Sequence, residues 1–207
     1  MLNLIIDLDN TIYPVKSIGS KLFAPLFSLL TEPKYGLNNQ TIADAKEQIM
    51  RIPFQKVAEQ FNFPGHLTND ALDLLRGLTY DEPMTYFEGY EAIRELDTKK
   101  LLLTTGFKAL QESKVRALKI ENDFTEIFIV DPDVSTLTKK DIMLKIMEKY
   151  QLSPADILVI GDDPGSEIKA ANELGIPSFL LDPDNAYPEA PADYRGVNLK
   201  EALKYIE

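Results

Sequence analysis

The chain has 207 residues, of which 44% are hydrophobic and 27% are charged, as in an ordinary globular protein of one domain or of one domain with an insertion. The 33 acidic residues outnumber the 22 basic ones and give a formal net charge of −11, which argues against a nucleic-acid-binding protein and against docking on anionic membranes. The absence of cysteine excludes disulfides, thiolate metal sites and cysteine nucleophiles. No apolar run approaches the roughly 18 residues of a membrane span, and residues 1–9 lack the basic region of a signal peptide, so we expect a cytoplasmic protein.

Short apolar runs alternate along the chain with segments of helical spacing. The runs end abruptly at polar residues, as strands buried on both faces of a parallel sheet do. They predict strands over residues 2–6, 101–103, 127–130, 157–160 and 178–181. Apolar residues at steps of three or four predict helices over residues 89–98, 107–119, 138–150 and 165–174. Such alternation is typical of βαβ units in a parallel sheet.

Residues 14–88 interrupt this alternation. They contain six prolines and no run typical of a buried strand, and they favour helices over about residues 18–31, 39–51, 53–61 and 67–78. We therefore expect a discontinuous core domain of residues 1–13 and 89–207 and a helical cap domain of residues 14–88. The expected fold class is α/β, a Rossmann-like parallel sheet flanked by helices with an inserted all-helical cap domain.

Polar residues follow three of the predicted strands. They are Asp7 and Asp9 after the first strand, Thr104, Thr105 and Gly106 after the second, and Asp162 and Asp163 after the fourth. Because ligands bind at the carboxyl ends of parallel strands, we expect these residues to meet in one site.

Asp7 and Asp9 lie two residues apart, so on an extended chain their carboxylates project to the same side. One could attack phosphorus as a nucleophile, and the other could transfer a proton. Clustered carboxylates repel each other, and oxygen ligands suit Mg²⁺, which would relieve that repulsion. The alternative is a turn at the end of the strand, formed with Asn10 and Thr11.

The other candidates also have two interpretations each. Thr104 precedes a predicted helix and is either part of an anion site or a helix N-cap. Asp163 before Pro164 fits an N-cap followed by proline. Lys139 and Lys140 begin a predicted helix, where the helix dipole does not favour a cation. One of them could bridge the nucleophile and a substrate phosphate, or both could form a solvated surface pair.

Taken together, these residues resemble the four motifs of the haloacid dehalogenase-like (HAD) hydrolase superfamily, in the expected order. The run Asp7-Leu8-Asp9-Asn10-Thr11 after an apolar strand resembles its first motif, and Thr104 its second. Lys139 or Lys140 matches the third motif, and the run Gly161-Asp162-Asp163-Pro164-Gly165-Ser166-Glu167 resembles the fourth. The four motifs imply a HAD-type core, and the helical insertion resembles the cap of subfamily I.

The resemblance also implies roles for these residues. Asp7 would be the nucleophile that becomes aspartyl-phosphate, and Asp9 the general acid and then the base. Asp7 and Asp162, with the backbone carbonyl of Asp9, would hold Mg²⁺. Thr104, Thr105 and Gly106 would bind the phosphoryl oxygens. Lys139 would offset negative charge, and Lys140 would contact the substrate. Asp163 or Glu167 would support the metal.

This chain departs from the pattern of the superfamily in three places. Glu167 stands where many relatives have Asp, and Thr105 stands where Asn is frequent. The third motif lacks the common Lys-Pro pair, which leaves Lys139 and Lys140 as alternatives, and we prefer Lys139.

The function implied is a Mg²⁺-dependent phosphatase that acts on a small phosphorylated metabolite. An acid at Asp9 suits a phosphate ester, whereas the dehalogenase branch lacks an acid there. The run from Asp7 to Pro14 is similar to a group of subfamily I relatives that includes pyrimidine 5′-nucleotidases, so a nucleoside monophosphate is a candidate substrate. A sugar phosphate is the other candidate. A phosphomutase acting on a sugar phosphate and a non-catalytic phosphate-ligand-binding protein stay open as alternatives. The sequence does not give the oligomeric state.

Overall fold

The structure is a computed structural model that describes residues 1–206. Within these residues, six strands form one parallel sheet in the order β3-β2-β1-β4-β5-β6. The strands are β1 (Asn3–Ile6), β2 (Lys100–Thr105), β3 (Glu126–Val130), β4 (Ile157–Gly161), β5 (Ser178–Leu181) and β6 (Tyr194–Gly196). The five predicted strands are thus confirmed. The sixth was not predicted, since it is only three residues long and contains a charged residue, Arg195.

Alternate residues of the central strands face two separate apolar layers. In β1, Leu4 and Ile6 contact one layer and Ile5 contacts the other. Helices supply both layers, because Leu110 of the helix after β2 lies in the first and Met143 of the helix after β3 lies in the second. The sheet is therefore covered on both faces, and the Rossmann-like fold class is confirmed.

Nine α-helices lie within residues 1–206. They are α1 (Lys16–Leu22), α2 (Ala24–Leu30), α3 (Asn39–Ile49), α4 (Phe54–Gln60), α5 (Gly65–Arg76), α6 (Tyr90–Arg94), α7 (Lys108–Leu118), α8 (Lys139–Tyr150) and α9 (Glu167–Leu174). None of these helices has both the length and the apolar character that crossing a membrane requires.

Two predicted helices and two predicted helix caps need correction. The helix predicted over residues 18–31 is two helices that meet at Phe23, because Pro25 near the start of α2 cannot continue a preceding helix. The helix predicted over residues 89–98 is limited to the short α6. The caps proposed at Thr104 and Asp163 are wrong, because α7 and α9 begin after Phe107 and Ser166.

Helices α1 to α5 lie between β1 and β2, where the sequence predicts the helical insertion. Their apolar residues, such as Leu26 and Leu67, belong to the same buried cluster as Ile6 of the sheet. The division into a cap domain of residues 14–88 and a core domain of residues 1–13 and 89–207 stays a prediction, and Glu207 lies outside the described residues.

The topology brings three strand ends together. β1 pairs with β2 on one side and with β4 on the other, and all three run in parallel, so their carboxyl ends lie at one edge. The chain order reverses between β1 and β4, which makes this edge the switch point at which open α/β sheets bind ligands.

Candidate active site

Three carboxylates meet at the carboxyl ends of β1 and β4. One oxygen each from Asp7, Asp162 and Glu167 lies within 4.8 Å of the others. Asp7 directly follows β1, Asp162 directly follows β4, and Glu167 is the first residue of α9. The hydroxyl of Thr11 donates to Oδ1 of Asp162 at 3.2 Å, so the turn after β1 also holds the turn after β4.

That turn after β1 is itself well defined. Asn10 has a left-handed backbone, with φ of 57°, which asparagine tolerates better than most residues. Its Oδ1 accepts a hydrogen bond from the N–H of Val15 at 3.1 Å. The turn interpretation of this motif is therefore confirmed, whereas the chemical interpretation stays a prediction.

Lys139 reaches into the carboxylate cluster from the start of α8. Its Nζ donates to Oδ1 of Asp7 at 2.5 Å and to Oε2 of Glu167 at 2.7 Å, and all three side chains are buried. Lys140 points elsewhere, and its Nζ donates to Oε2 of Glu173 at 2.8 Å with both side chains exposed. Lys139 is thus the lysine within the cluster, whereas Lys140 lies at the rim of the cavity described below.

Glu167 holds the turn after β4 in place. Its Oε1 accepts hydrogen bonds from the N–H groups of Asp162 and Asp163, at 3.0 and 2.8 Å. Its side chain lies against Gly161, where a Cβ would stand 2.2 Å from Cγ of Glu167. The longer acid therefore fits only because residue 161 is glycine. Asp163 lies outside the carboxylate cluster, and its Oδ1 accepts from the N–H of Gly165 at 2.7 Å.

The cluster contains more acidic than basic groups. Three carboxylates face one ammonium, so ionising all three would leave two negative charges uncompensated. Burial raises the pKa of Asp7 to about 7 despite the attraction of Lys139. Burial and the charge of Glu167 likewise hold the pKa of Asp162 well above its ordinary value. An all-oxygen donor set with this excess charge fits Mg²⁺, because a hard dication would relieve the repulsion.

Glu167 and Lys139 are the ionised pair within this cluster. Burial opposes the charged form of Glu167, but Lys139 and the N–H groups of the turn outweigh it and lower the pKa of that carboxyl. Burial likewise opposes the charge of Lys139, and Asp7 and Glu167 overcome it, so the pKa of Lys139 lies above its ordinary value.

Asp9 lies in a separate set of hydrogen bonds that the sequence analysis missed. Nζ of Lys114 donates to both carboxylate oxygens, at 2.8 and 3.1 Å. Nε2 of Gln111 donates to Oδ2 at 2.8 Å, and the hydroxyl of Tyr13 donates to Oδ1. Burial raises the pKa of Asp9, but Lys114 and these hydrogen bonds outweigh it, so the pKa lies below its ordinary value.

The polar residues after β2 border the same site. Nε2 of Gln111 donates to Oγ1 of Thr104 at 2.6 Å, which leaves the hydroxyl hydrogen of Thr104 free to bind another acceptor. Thr105 and Gly106 line the cavity. The N–H of Gly106 donates to the carbonyl of Val130 at 3.0 Å, so this N–H serves the backbone rather than a phosphoryl group.

A cavity of about 650 Å³ joins these groups to the helical insertion. The insertion contributes mostly apolar walls, which include Phe23, Leu26, Ile49, Met50, Phe54 and Leu75. Gln55 also lines the cavity, and within residues 1–206 neither polar atom of its amide has a hydrogen-bond partner. The site thus combines a charged floor at the strand ends with an apolar roof.

Comparison with known proteins agrees with this geometry. Residues 2–175 match the family model of haloacid dehalogenase-like hydrolases. No curated protein matches the chain at a significant level.

Several solved structures share the fold over nearly their whole length. A haloacid dehalogenase-like family hydrolase from Streptococcus pneumoniae is 18% identical, with a TM-score of 0.73 over 100% of this chain and 99% of the other. A HAD hydrolase from Bacillus subtilis, solved with bound magnesium, is 17% identical, with a TM-score of 0.70 over 99% of this chain and 98% of the other. A protein from Clostridium difficile described as a phosphatase is 16% identical, with a TM-score of 0.74 over 99% of this chain and 97% of the other.

At these identities the structural likeness shows the fold alone. The family match covers well over half of the chain, and it includes every residue of the carboxylate cluster and Lys139. The chain therefore belongs to the haloacid dehalogenase-like hydrolases.

Proposed function

We propose that the protein is a Mg²⁺-dependent phosphatase that hydrolyses a small phosphomonoester through an aspartyl-phosphate intermediate. The observation that carries this proposal is the cluster of Asp7, Asp162 and Glu167, in which Lys139 pairs with Asp7 and Glu167, with Asp9 two residues from Asp7. A nucleophile, an acid and a compensating cation are the groups that phosphoryl transfer from an ester to a carboxylate requires.

Asp7 and Asp162 would hold Mg²⁺, together with the backbone carbonyl of Asp9. When bound there, the ion would balance the excess negative charge and polarise the phosphoryl group. Glu167 already accepts hydrogen bonds from Lys139 and from the turn after β4, so its part is to fix the turn that presents Asp162. Asp163 is the alternative candidate for that supporting role.

The reaction has two steps. A carboxylate oxygen of Asp7 attacks phosphorus, and the bond from phosphorus to the leaving oxygen breaks. Asp9, which takes up a proton when the negative charge of the bound phosphate raises its pKa, gives that proton to the leaving oxygen. Asp9 then removes a proton from a water molecule, which attacks phosphorus and releases phosphate and free Asp7. Lys139 offsets the negative charge beside the nucleophile, and Thr104 and Thr105 bind phosphoryl oxygens.

The helical insertion would act as a cap over this chemistry. We propose residues 14–88 as the cap domain and residues 1–13 and 89–207 as the core domain. The apolar roof of the cavity would exclude water when a substrate is bound, which strengthens the electrostatic interactions in the site. The leaving group would lie against this roof, so the cap would select the substrate.

The walls of the cavity favour a nucleoside monophosphate over a sugar phosphate. Arg51 and Lys56 also line the cavity, but sugar hydroxyls placed against the apolar walls at Leu26, Ile49 and Phe54 would lose water there without gaining partners. A nucleobase offers a flat apolar body, and its edge presents a donor and an acceptor side by side. These would pair with the amide of Gln55, which has no partner of its own, once that buried amide turns toward the ligand. The same argument disfavours the phosphomutase alternative.

The test uses the purified full-length protein and p-nitrophenyl phosphate, with MgCl₂ or with EDTA. We expect hydrolysis only with Mg²⁺, and an Asp7→Asn variant that loses at least roughly 10³-fold in rate. Asp44→Asn is the matched control, because Asp44 is an exposed carboxylate on α3 that bonds only to Gln40 among the described residues. Turnover retained by Asp7→Asn would refute the nucleophile.

A panel of phosphate esters then separates the remaining alternatives. Release of inorganic phosphate from nucleoside monophosphates faster than from sugar phosphates supports the proposed substrate class. An isomeric sugar phosphate with little free phosphate would indicate the mutase instead. Ligand binding without turnover on any ester would indicate the non-catalytic alternative.

A further inference from the structure

Lys114 is a buried cation with an assigned partner but no assigned role. It lies on the inward face of α7, and its side chain is only 4% exposed. Within residues 1–206, the carboxylate that it pairs with is that of Asp9, and its ammonium also lies 5.8 Å from the centre of the Tyr13 ring. Burying an ammonium is costly unless it is paired, so the fold places this lysine specifically against Asp9.

We propose that Lys114 is a positioning residue that holds the Asp9 carboxylate in the orientation needed for proton transfer. This inference rests on the proposed phosphatase function. Lys114 bridges both oxygens of Asp9, while Gln111 binds one oxygen and Tyr13 binds the other. Donors from α7 and from the turn after β1 therefore fix the carboxylate from two sides.

Among these donors, Lys114 is the one whose removal affects Asp9 most directly. Gln111 also donates to Oγ1 of Thr104 and, at 3.3 Å, to the carbonyl of Thr105, so its loss would disturb the residues after β2. Tyr13 is a large, fully buried residue of the core, so its loss would leave a cavity. Lys114 makes no hydrogen bond or ion pair with Asp7 or Lys139, which are joined to each other.

This arrangement predicts a dependence on the leaving group. Without Lys114, Asp7 keeps its ion pair and can still attack phosphorus, but Asp9 gains freedom to turn. A p-nitrophenolate leaves as a stable anion and needs little help from an acid, whereas an alkoxide needs a proton. Small errors in the placement of a catalytic group cost large factors in rate, so the loss should fall on alkyl esters.

The experiment compares Lys114→Met and Lys114→Arg with the wild type by rapid-quench kinetics with Mg²⁺. The rate of aspartyl-phosphate formation is measured with p-nitrophenyl phosphate and with a primary alkyl phosphate. We expect Lys114→Met to lose at least about tenfold more on the alkyl ester than on the aryl ester, with KM changed by less than about threefold. Lys114→Arg keeps the charge and two donors, and should restore most of the difference.

Controls separate this role from a structural one. Lys149→Met removes an exposed lysine that pairs with Glu126 on the surface, and it should leave both rates unaltered. Thermal unfolding defines a temperature at which all variants are folded, and Lys114→Gln replaces Lys114→Met if the latter does not fold.

Equal losses on both esters, or a loss of stability with both rates intact, would overturn the positioning role and leave the proposed function standing. A wild type that hydrolyses neither ester would overturn both.

Discussion

Replacing Gly161 with alanine should force the Glu167 side chain out of its place beside β4. The added Cβ would lie 2.2 Å from Cγ of Glu167, 2.3 Å from Oε1 and 2.6 Å from Cδ, distances that no side-chain adjustment of a few tenths of an ångström relieves. Moving the side chain breaks its hydrogen bonds to the N–H groups of Asp162 and Asp163 and its ion pair with Lys139.

The size of the effect follows from these contacts. Breaking a buried ion pair costs about 3–5 kcal/mol, and a lost hydrogen bond to a charged group costs about 1.5–3 kcal/mol. Water that enters at the turn offsets part of this loss. We therefore expect Gly161→Ala to lower the free energy of unfolding by about 3–5 kcal/mol, a large share of the total stability of a typical domain.

Urea unfolding followed by circular dichroism measures this change. Gly65→Ala is the matched control, because a Cβ there meets nothing within 4 Å, and alanine should be neutral or stabilise by up to about 1 kcal/mol. The decisive comparison is the same Gly161→Ala change in a Glu167→Ala background, where it should cost less than about 1 kcal/mol. An equal cost in both backgrounds would show that the clash is not with Glu167 and would refute the reasoning.

Three further predictions concern the charges and the cavity. Burial raises the pKa of Asp7 from 3.8 to about 7, so the folded protein binds more protons there than the unfolded chain does, and this contribution to stability is lost as pH rises from about 4 to 7. The measurement is the unfolding free energy of Asp7→Asn minus that of the wild type, both in EDTA. This difference should increase as pH rises over the range, by at most about 4 kcal/mol. A difference that stays flat or falls would contradict the raised pKa of Asp7. Mg²⁺ at 100 times its dissociation constant should stabilise the wild type by about 2.7 kcal/mol, and Asp162→Asn should lose most of this gain in thermal unfolding. Gln55→Leu should stabilise the free protein, because it removes an unpaired buried amide, while kcat/KM falls about tenfold more for nucleoside monophosphates than for p-nitrophenyl phosphate.

The strands that form the site could be predicted because they are buried on both faces. A run such as Ile157-Leu158-Val159-Ile160 has no polar residue to suggest a solvent-exposed side, and the structure buries every residue of β4. β6 lies at the edge of the sheet and needs no such run, since it pairs only with β5. An edge strand of three residues leaves no recognisable pattern in the sequence. β6 is defined only by its parallel pairing with residues 179–181 of β5.

The choice between the adjacent lysines Lys139 and Lys140 could not be made from their spacing in the sequence. Lys139 and Lys140 both stand at the start of a helix, and either could match the same motif. A helix turns about 100° per residue, so neighbouring side chains point in different directions. The capping box of Thr138 and Asp141 fixes the first turn of α8, and that phase sends Lys139 to Asp7 and Lys140 to the surface.

Lys114 was missed for a different reason, although the sequence does contain a trace of it. The buried residues of α7 are Leu110, Gln111, Ser113, Lys114, Val115 and Leu118. Three of them are polar, although the buried face of such a helix is usually apolar. A lysine on such a face must have a buried counter-charge, because an unpaired ammonium would not remain ionised there. Its partner, Asp9, lies 105 residues earlier in the chain, so no local pattern identifies it. The phase of an amphipathic helix can therefore show that a buried polar contact exists. The partner in that contact is determined only by the parallel pairing of β1 with β2, because Asp9 follows β1 and α7 follows β2.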